Sequence, residues 1–424
     1  MAGGAGLNVM TASDFDTGIP EYWEKAVLYD ATRQSITSKF EGPEGSGAAI
    51  IRKDDPLKKA GDQINIITAG QIYNAGVTGA TTLAGNEQKV DIDGFPVVAD
   101  WVRNAVAWNR RAEGRALFNP SIVSGRALAN WWARRMDDDM FYRLISTESP
   151  TNLFAGDATT LATLGTDDAL GTAELDRISL ELQASGAEPF MVESENGQQF
   201  PIYGLFLSEF DAFNLRQDVQ WVDAQADNAL RGAKNPIFTN ALGMYKGIVP
   251  FVVPAGVRGV QGTPLRPECS ITGSHTDSVT TITVGTNDGN DYTKNFASSG
   301  TIAIVNSSGA RENVDYTGKT AYTFTGCTRG TTYGSDTSTA SAYTGGEKVT
   351  QGNHESTVIA FGAAAACRTV VKPMHKISEV ADYGFEHGIG VAGIYGQAAV
   401  LDTSDSVRNY ITMNCMAKAP EAAE

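Results

Sequence analysis

Residues 121–147 carry large apolar side chains at every fourth position, and any fold of this chain has to cover them. The repeat consists of Leu128, Trp132, Met136, Met140 and Leu144, and it is widened by Trp131, Phe141 and Ile145. Four-residue spacing places side chains on one face of an α-helix. Pro120 and Ser121 are typical of a helix start. The pattern predicts a helix about 40 Å long that acts as a structural spine.

Residues 61–100 form a second pattern, in which two strand-like runs flank a segment with almost no large apolar side chain. Ile64 and Ile66 alternate with polar residues, as do Val90 and Ile92, which predicts β-strands. The sequence between them, GVTGATTLAGNEQ, offers no core of its own. Because an isolated hairpin is marginal in water, we expect it to lie on another subunit or a neighbouring domain.

The chain beyond the predicted spine helix alternates helical and strand-like segments, which is typical of an α+β domain. These segments are helices over 170–184 and near 211–228, and strands over 203–207 and 247–253. The composition changes near residue 265, and residues 268–352 are dense in Thr, Ser and Gly with only short strand-like runs. Helical or buried apolar character returns at 357–369. We therefore expect an all-β insertion in the α+β domain.

The charge balance limits the classes of function. The 33 Lys and Arg residues face 49 Asp and Glu residues, so the formal net charge is −16. Binding to nucleic acid by neutralising phosphates needs clustered basic residues, so we do not expect it here. The start of the chain lacks a secretory pattern, and the most apolar stretch, 358–367, is about half the length of a membrane helix. We expect a soluble protein made in the cytoplasm, with no membrane partner.

The cysteine spacing favours buried, reduced thiols. The four cysteines are Cys269, Cys327, Cys367 and Cys415. No two of them have CxxC spacing, which argues against a disulfide framework and against the common structural zinc patterns.

Short motifs suggest chemistry but lack the context that it requires. Residues 388–393 spell GxGxxG, yet too little chain follows for the helix and acidic residue of a dinucleotide site. Residues 317–320, TGKT, lack the first glycine of a phosphate-binding loop, because that position is Asn313. None of the four histidines has catalytic or metal-ligand spacing.

The acidic triplet at 137–139 is a poor metal site. Consecutive helical residues point about 100° apart, so its three carboxylates cannot converge on one ion. We expect a solvated face, or salt bridges to Arg134, Arg135 or a neighbouring subunit. The sequence thus predicts no catalytic, cofactor-binding or metal site, and no enzyme.

Several segments together resemble the major capsid family of tailed phages named after coliphage N-four. They occur in the family's order and spacing: 51–62 (IRKDDPLKKAGD), 76–79 (GVTG), 83–87 (LAGNE), 102–106 (VRNAV), 127–137 (ALANWWARRMD) and 382–385 (DYGF) followed by Gly388. The resemblance covers about 1–262 and 353–424. The block at 268–352 departs from the family and loosely resembles small β modules of other phage structural proteins.

The resemblance implies a fold similar to the Hong Kong 97 type of capsid protein, an α+β fold with an inserted all-β domain. The expected parts are an N-terminal arm (1–19), a peripheral domain (20–60 and 101–150) with the spine helix, an extended loop hairpin (61–100), an axial domain (151–264 and 353–380), the inserted β domain (265–352) and a return to the peripheral domain (381–424). The residues implied to contact a neighbouring subunit are Val77, Thr78, Gly79, Leu83, Gly85, Asn86 and Glu87.

The function implied is that of a major capsid protein, which assembles into an icosahedral shell around the double-stranded DNA of a tailed bacteriophage. The implied partners are copies of the chain in pentamers and hexamers, with cement, scaffold and portal proteins, and packaged DNA nearby without specific binding. One alternative is a tail, fibre or adhesin component whose Thr-rich block binds a host glycan and which forms trimers. Another, a nicotinamide-dependent enzyme, depends on GxGxxG alone.

Overall fold

The computed structural model describes sixteen stretches of the chain. They are residues 35–53, 63–69, 76–79, 81–90, 92–113, 120–146, 152–165, 167–193, 199–227, 243–253, 262–286, 289–305, 311–333, 336–352, 354–400 and 409–417. The predicted arm at 1–19 lies outside them. The chain divides into two compact units, one of Met1–Arg143 with Ala364–Asp405 and one of Leu144–Ala363 with Ser406–Glu424.

The described residues contain both helices and many strands. The α-helices are α1 (Arg110–Glu113), α2 (Pro120–Ser146), α3 (Thr172–Ala184), α4 (Glu209–Gln217) and α5 (Val219–Asp227), and short 3-10 helices cover Thr37–Phe40, Leu161–Thr163 and Asp382–Gly384. The strands are β1 (Glu41–Gly42), β2 (Ile50–Arg52), β3 (Gln63–Ala69), β4 (Ile92–Val98), β5 (Asp100–Asn109), β6 (Asn152–Phe154), β7 (Phe190–Glu193), β8 (Gln199–Ser208), β9 (Ile248–Val253), β10 (Gly262–Thr263), β11 (Arg266–Ser270), β12 (Thr281–Thr283), β13 (Gly300–Val305), β14 (Arg311–Tyr316), β15 (Gly318–Lys319), β16 (Thr323–Thr325), β17 (Thr328–Arg329), β18 (Thr332–Tyr333), β19 (Asp336–Thr337), β20 (Lys348–Gln351), β21 (Glu355–Phe361), β22 (Ala366–Ala381), β23 (Glu386–Ala399) and β24 (Tyr410–Met416).

The first unit is built on a five-stranded sheet of order β1-β2-β22-β23-β5, beside the two-stranded hairpin β3-β4. The spine helix α2 packs on this sheet. Leu128, Ala129 and Trp132 of the helix share a buried core with residues of β5, β22 and β23. The Trp132 ring meets that of Tyr395 edge-on, with 5.6 Å between centroids.

The predicted apolar stripe of α2 is the side of the helix that lies in the core. Leu128, Trp132, Met140 and Leu144 are buried, and Met136 is half-buried against the same core as Trp132. The helix begins at Pro120, one residue earlier than the pattern indicated, and ends at Ser146.

The second unit contains an α+β part and a strand-only block. The sheet of the α+β part has the order β6-β24-β21-β8-β7, with β9 pairing to β8. Its core includes Leu175, Ile178 and Leu182 of α3, together with Leu205 of β8 and Met413 of β24. The i, i+3, i+7 spacing of these three α3 residues explains this packing, because it places them on one face of the helix.

Residues 262–352, here called the β block, form sheets of their own. Their strand orders are β10-β11-β20-β13-β14-β17, β12-β16-β15 and β18-β19. These sheets enclose a separate apolar core that includes Ile302, Val314, Phe324 and Val349. Short strands joined by turn residues are what the Thr, Ser and Gly content favours.

One expected element differs from the structure. The helix expected near 211–228 is two helices, separated at Asp218, whose backbone is extended. The Asp218 carboxylate instead accepts hydrogen bonds from the amide (2.6 Å) and hydroxyl (2.7 Å) of Thr172. That partner is distant in sequence, so the local helical pattern did not reveal the break.

The division between the two units in the final third of the chain follows strand pairing. β22 pairs with β23 along its length in the first unit, which resumes at Ala364. β24 pairs with β21 and β6 in the second unit, to which the chain returns at Ser406. The domain bounds expected from the sequence, with an axial domain to 380 and a peripheral domain over 381–424, stay predictions.

Candidate functional site

The hairpin β3-β4 has two faces of different character. On one face Ile64, Ile66 and Val97 are buried in a small cluster with Cys367 of β22. Residues directly opposite in an antiparallel pair share a face, and neighbours along a strand alternate. The pairs Ala69 with Ile92 and Gln63 with Val98 therefore belong to the other face, together with Ile67.

That second face carries exposed aliphatic side chains beside the polar Gln63 and Asn65. Ile67 is 68% exposed, Ile92 is 71% exposed and Val98 is 54% exposed. Large aliphatic side chains at such exposure, collected on one side of a hairpin, are typical of surfaces that bind another protein. The sequence pattern predicted the strands but did not show which face was covered, so it did not single out Ile67 or Val98.

The described part of the loop between β3 and β4 contains all seven predicted contact residues. Leu83, Gly85, Asn86 and Glu87 lie in one turn, in which the Asn86 amide donates to the Leu83 carbonyl at 2.9 Å. Gly85 adopts φ +88, which fits the third position of a type II turn and favours glycine. The Glu87 carboxylate accepts from the Gly85 amide at 2.7 Å.

The loop side chains have little cover. Val77 is half-buried, whereas Thr78, Gly79 and the turn residues are exposed, with Leu83 at 60%. Val77, Thr78 and Gly79 belong to a separate described stretch, residues 76–79. The turn is thus shaped by its own hydrogen bonds, and Leu83 at its tip is exposed.

The turn between β22 and β23 is a second exposed feature. Asp382 and Tyr383 both have positive φ (46° and 52°), a conformation that costs energy for residues other than glycine. The Tyr383 side chain is fully exposed, and Val380 and Phe385 beside it are largely exposed. This is the DYGF segment, which the sequence comparison singled out without assigning it a contact role.

Asp137 corrects the prediction for the acidic triplet, because it is buried rather than solvated. Its carboxylate accepts hydrogen bonds from the Ser35 hydroxyl (2.7 Å), the Ile36 amide (2.8 Å) and the Thr37 amide (3.1 Å). Asp139 does form one of the predicted salt bridges, to Arg135 at 2.8 Å. Asp137 therefore fixes the first described residues of the chain to the spine helix.

Arg368 of β22 completes this anchor. Its guanidinium is fully buried, donates to the Thr37 hydroxyl at 2.8 Å and contacts the Glu41 carboxylate. Burial lowers the pKa of Arg368 to about 10. At neutral pH the group is still a cation, and Glu41 supplies its counter-charge.

The motifs examined for chemistry have structural roles. Gly388, Gly390 and Gly393 of GxGxxG all lie inside strand β23, which is paired on both sides. Lys319 of TGKT donates to the carbonyl oxygens of Thr293 and Phe296, both at 2.6 Å. All four cysteines are free and buried, as expected.

The described stretches offer neither a metal site nor a membrane-spanning helix. No group of three or more His, Cys, Asp or Glu side chains is arranged there to hold a metal ion. None of the helices in these stretches is long and apolar enough to cross a membrane. The notable surfaces are the hairpin face and the two exposed turns.

Comparison with solved structures gives a likeness along the whole chain. The capsid of Ralstonia phage GP4 matches with a TM-score of 0.58 and 17% identity, over 91% of this chain and 92% of that chain. The capsid asymmetric unit of cyanophage Pam1 matches with a TM-score of 0.58 and 14% identity, over 91% and 93%. The head structure of Helicobacter pylori bacteriophage KHP40 matches with a TM-score of 0.55 and 13% identity, over 99% and 96%.

Sequence comparisons add nothing to this. No protein-family model matches the chain, and no curated protein matches it significantly. The structural likeness therefore carries the conclusion, which concerns the fold: the chain has the mixed α/β fold of phage capsid proteins.

Proposed function

We propose that this chain is the major capsid protein of a tailed bacteriophage, which self-assembles into the icosahedral shell that encloses a double-stranded DNA genome. The observation that carries the proposal is the extent of the likeness, which covers about nine tenths of both chains in the GP4 and Pam1 comparisons. A shared single module would cover less. The capsid motifs in the sequence support the same function, and the role is structural rather than enzymatic.

The finer assignment is a fold of the Hong Kong 97 type and membership of the N-four-like family. In this assignment the first unit is the peripheral domain with spine helix α2, and β3-β4 is the extended loop. The α+β part of the second unit is the axial domain, and the β block is a domain inserted into it. The separate core of the β block supports that last point.

The exposed face of β3-β4 is proposed to lie on a neighbouring subunit. Burying Ile67, Ile92 and Val98 there would remove apolar surface from water at about 25 cal/mol per Å². Many such contacts, each weak, add into a stable shell because every subunit repeats them. Leu83 in the loop turn extends the same contact.

The β block is proposed to face outward. Among its described residues there is no strongly exposed large apolar side chain, in contrast to the rest of the described chain. A surface of this kind is suited to water rather than to a tight protein interface. The net charge of −16 also suits a container that does not bind its own DNA.

The proposed partners are further copies in pentamers and hexamers, with cement, scaffold and portal proteins, and the location is the virion capsid after synthesis in the host cytoplasm. Negative-stain electron microscopy and sedimentation velocity of the purified full-length chain test this. The expected result is closed shells, or rings of five and six subunits. A population of elongated trimers would contradict the proposal and favour a tail or fibre component.

A further inference from the structure

Glu355 stands at the point where the chain returns from the β block to the α+β part. It is the first residue of β21 and lies opposite Met416 of β24. Its side chain is buried, and its carboxylate accepts a hydrogen bond from the Tyr333 hydroxyl of β18. This one bond connects the strand pair β18-β19 of the β block with the first strand that follows the block.

Among the described residues no lysine or arginine pairs with the Glu355 carboxylate. Arg266, Lys348 and Arg311 lie close enough to act on the adjacent His354. Arg266 and Lys348 both pair with Glu268, at 2.6 Å and 3.5 Å. The other titratable groups that face the site are Tyr316 and Asp315 of β14 and the adjacent His354. Burial lowers the pKa of His354 to about 4, so it adds no positive charge near neutral pH.

A buried glutamate within the β block, Glu312, has enough hydrogen-bond and ion-pair partners to offset the cost of burying its charge. Glu312 accepts from Arg329 Nε at 2.7 Å and Nη2 at 2.8 Å, from the Tyr343 hydroxyl at 2.6 Å, and from the amides of Gly330 and Ser341. Burial acts to raise the pKa of Glu312, but these partners outweigh it and the pKa is lowered. Within the described stretches, the Tyr333 hydroxyl is the only donor to Glu355, so burying a charge on this carboxylate is costly.

We propose that Glu355 is a pH-sensitive latch, which holds β18-β19 against the start of β21 when its carboxyl group is neutral and releases this contact when the group is ionised. The contact joins the β block to the α+β part at the strand by which the chain returns. Its release would loosen that attachment without unfolding either core. The contact between Tyr333 and Glu355 lies within one subunit, so its opening does not require shell assembly.

The direction of the pH effect follows from the environment of the group. Burial raises the pKa of Glu355 from its ordinary value of 4.5 to about 7, and the Tyr333 hydrogen bond only partly offsets this. A raised pKa means that the closed contact binds a proton more tightly than the open one. The closed contact is therefore favoured below pH 4.5 and is weakened as the pH rises towards 7, by at most about tenfold per pH unit.

Hydrogen–deuterium exchange of the full-length chain tests the latch. Amides in 332–337 and 354–357 should open more often at about pH 8 than at about pH 5 after correction for intrinsic exchange, whereas a peptide from α3 serves as the internal reference. Glu355→Gln, which is neutral at every pH, should abolish this difference. The exposed carboxylate Asp277 provides the matched control, and Asp277→Asn should keep the wild-type difference.

A further variant keeps the test decisive if Glu355→Gln does not fold. Tyr333→Phe removes the one donor, so opening should exceed that of the wild type at about pH 8, with a smaller excess at about pH 5. Equal opening of the wild type at both pH values would overturn the proposal. An unchanged pH difference in Glu355→Gln would also overturn it.

Discussion

In the core of the first unit, the ring of Trp132 leaves no room for a side chain at position 393. The indole of Trp132 lies against β23, and a Cβ atom built on Gly393 would come 2.6 Å from the ring atom Cη2. No real Cβ atom is found so close to another atom, so this position has no room for a larger residue. Gly388, in the same strand and the same sequence motif, has its nearest neighbour at 3.8 Å. The glycines of GxGxxG are therefore not equivalent, and packing alone accounts for the third.

Replacing Gly393 and Gly388 by alanine, one at a time, tests whether core packing requires the third glycine of the motif but not the first. Gly393→Ala should lower the free energy of unfolding by about 1–3 kcal/mol, because the added methyl group overpacks the core. Gly388→Ala should change it by less, since the space is open to ordinary contact. Chemical denaturation of both variants measures the difference. Equal losses would contradict the packing explanation.

Trp132 itself supplies a large part of the contact between α2 and the sheet. Trp132→Ala should lower the free energy of unfolding by about 3–5 kcal/mol and reduce the yield of soluble subunit, because it leaves a cavity where a fully enclosed ring had packed. Trp101→Ala is the matched control, since that ring is 48% exposed. Thermal unfolding of the two variants provides the comparison, and a wild-type melting temperature for Trp132→Ala would count against its burial.

At the scale of the element, one face of β3-β4 contributes to the fold of the subunit, and the other is exposed and free to bind a partner. The covered face ties the hairpin to β22 through Ile64, Ile66 and Val97. Ile67, Ile92 and Val98 on the exposed face are in contact with water. Charged substitutions on the exposed face should therefore affect what the hairpin binds and leave the subunit intact.

Ile92→Asp tests that separation. Its melting temperature should stay within a few degrees of the wild type, because the side chain is already in water. Shell assembly, measured by sedimentation velocity and electron microscopy, should be lost or sharply reduced, since the carboxylate would be buried at the contact. Ser298→Asp, an exposed position in the β block, adds the same charge and should assemble normally. Normal assembly of Ile92→Asp would mean that this face is not a subunit contact.

The elements that the sequence predicted well are those with a local cause. The four-residue repeat of α2 and the alternation in β3 depend only on neighbours along the chain, and the structure contains both. The burial of Asp137 depends on Ser35 and Thr37, about one hundred positions earlier. The break at Asp218 likewise depends on Thr172. No local pattern records such distant partners, which is why these features, and the exposed side of the hairpin, could not be predicted.

At the scale of the whole molecule, the β block leaves and rejoins the α+β part through neighbouring strands. Glu268 pairs with Thr350, and Cys269 with Val349, so the two crossings run side by side. The Thr357 amide of β21 also donates to the carbonyl of Leu265, near the start of the block, at 2.8 Å. Paired strands lie about 5 Å apart, a gap that a few residues can span. The geometry therefore permits removal of the block without stretching the remaining chain.

Replacing 268–352 by a short Gly-Ser linker should yield a soluble, folded subunit. The sheet β6-β24-β21-β8-β7 and its core use no residue of the block, so far-ultraviolet circular dichroism should still show the helices and a cooperative melt. A modest loss of stability is expected, because Glu355 and Arg266 lose the partners that now cover them. If the block is an outward-facing insertion, the shortened subunit should still form shells of the same diameter, with lower resistance to heating. Aggregation or a non-cooperative melt would instead show that the block is an integral part of the second unit's fold.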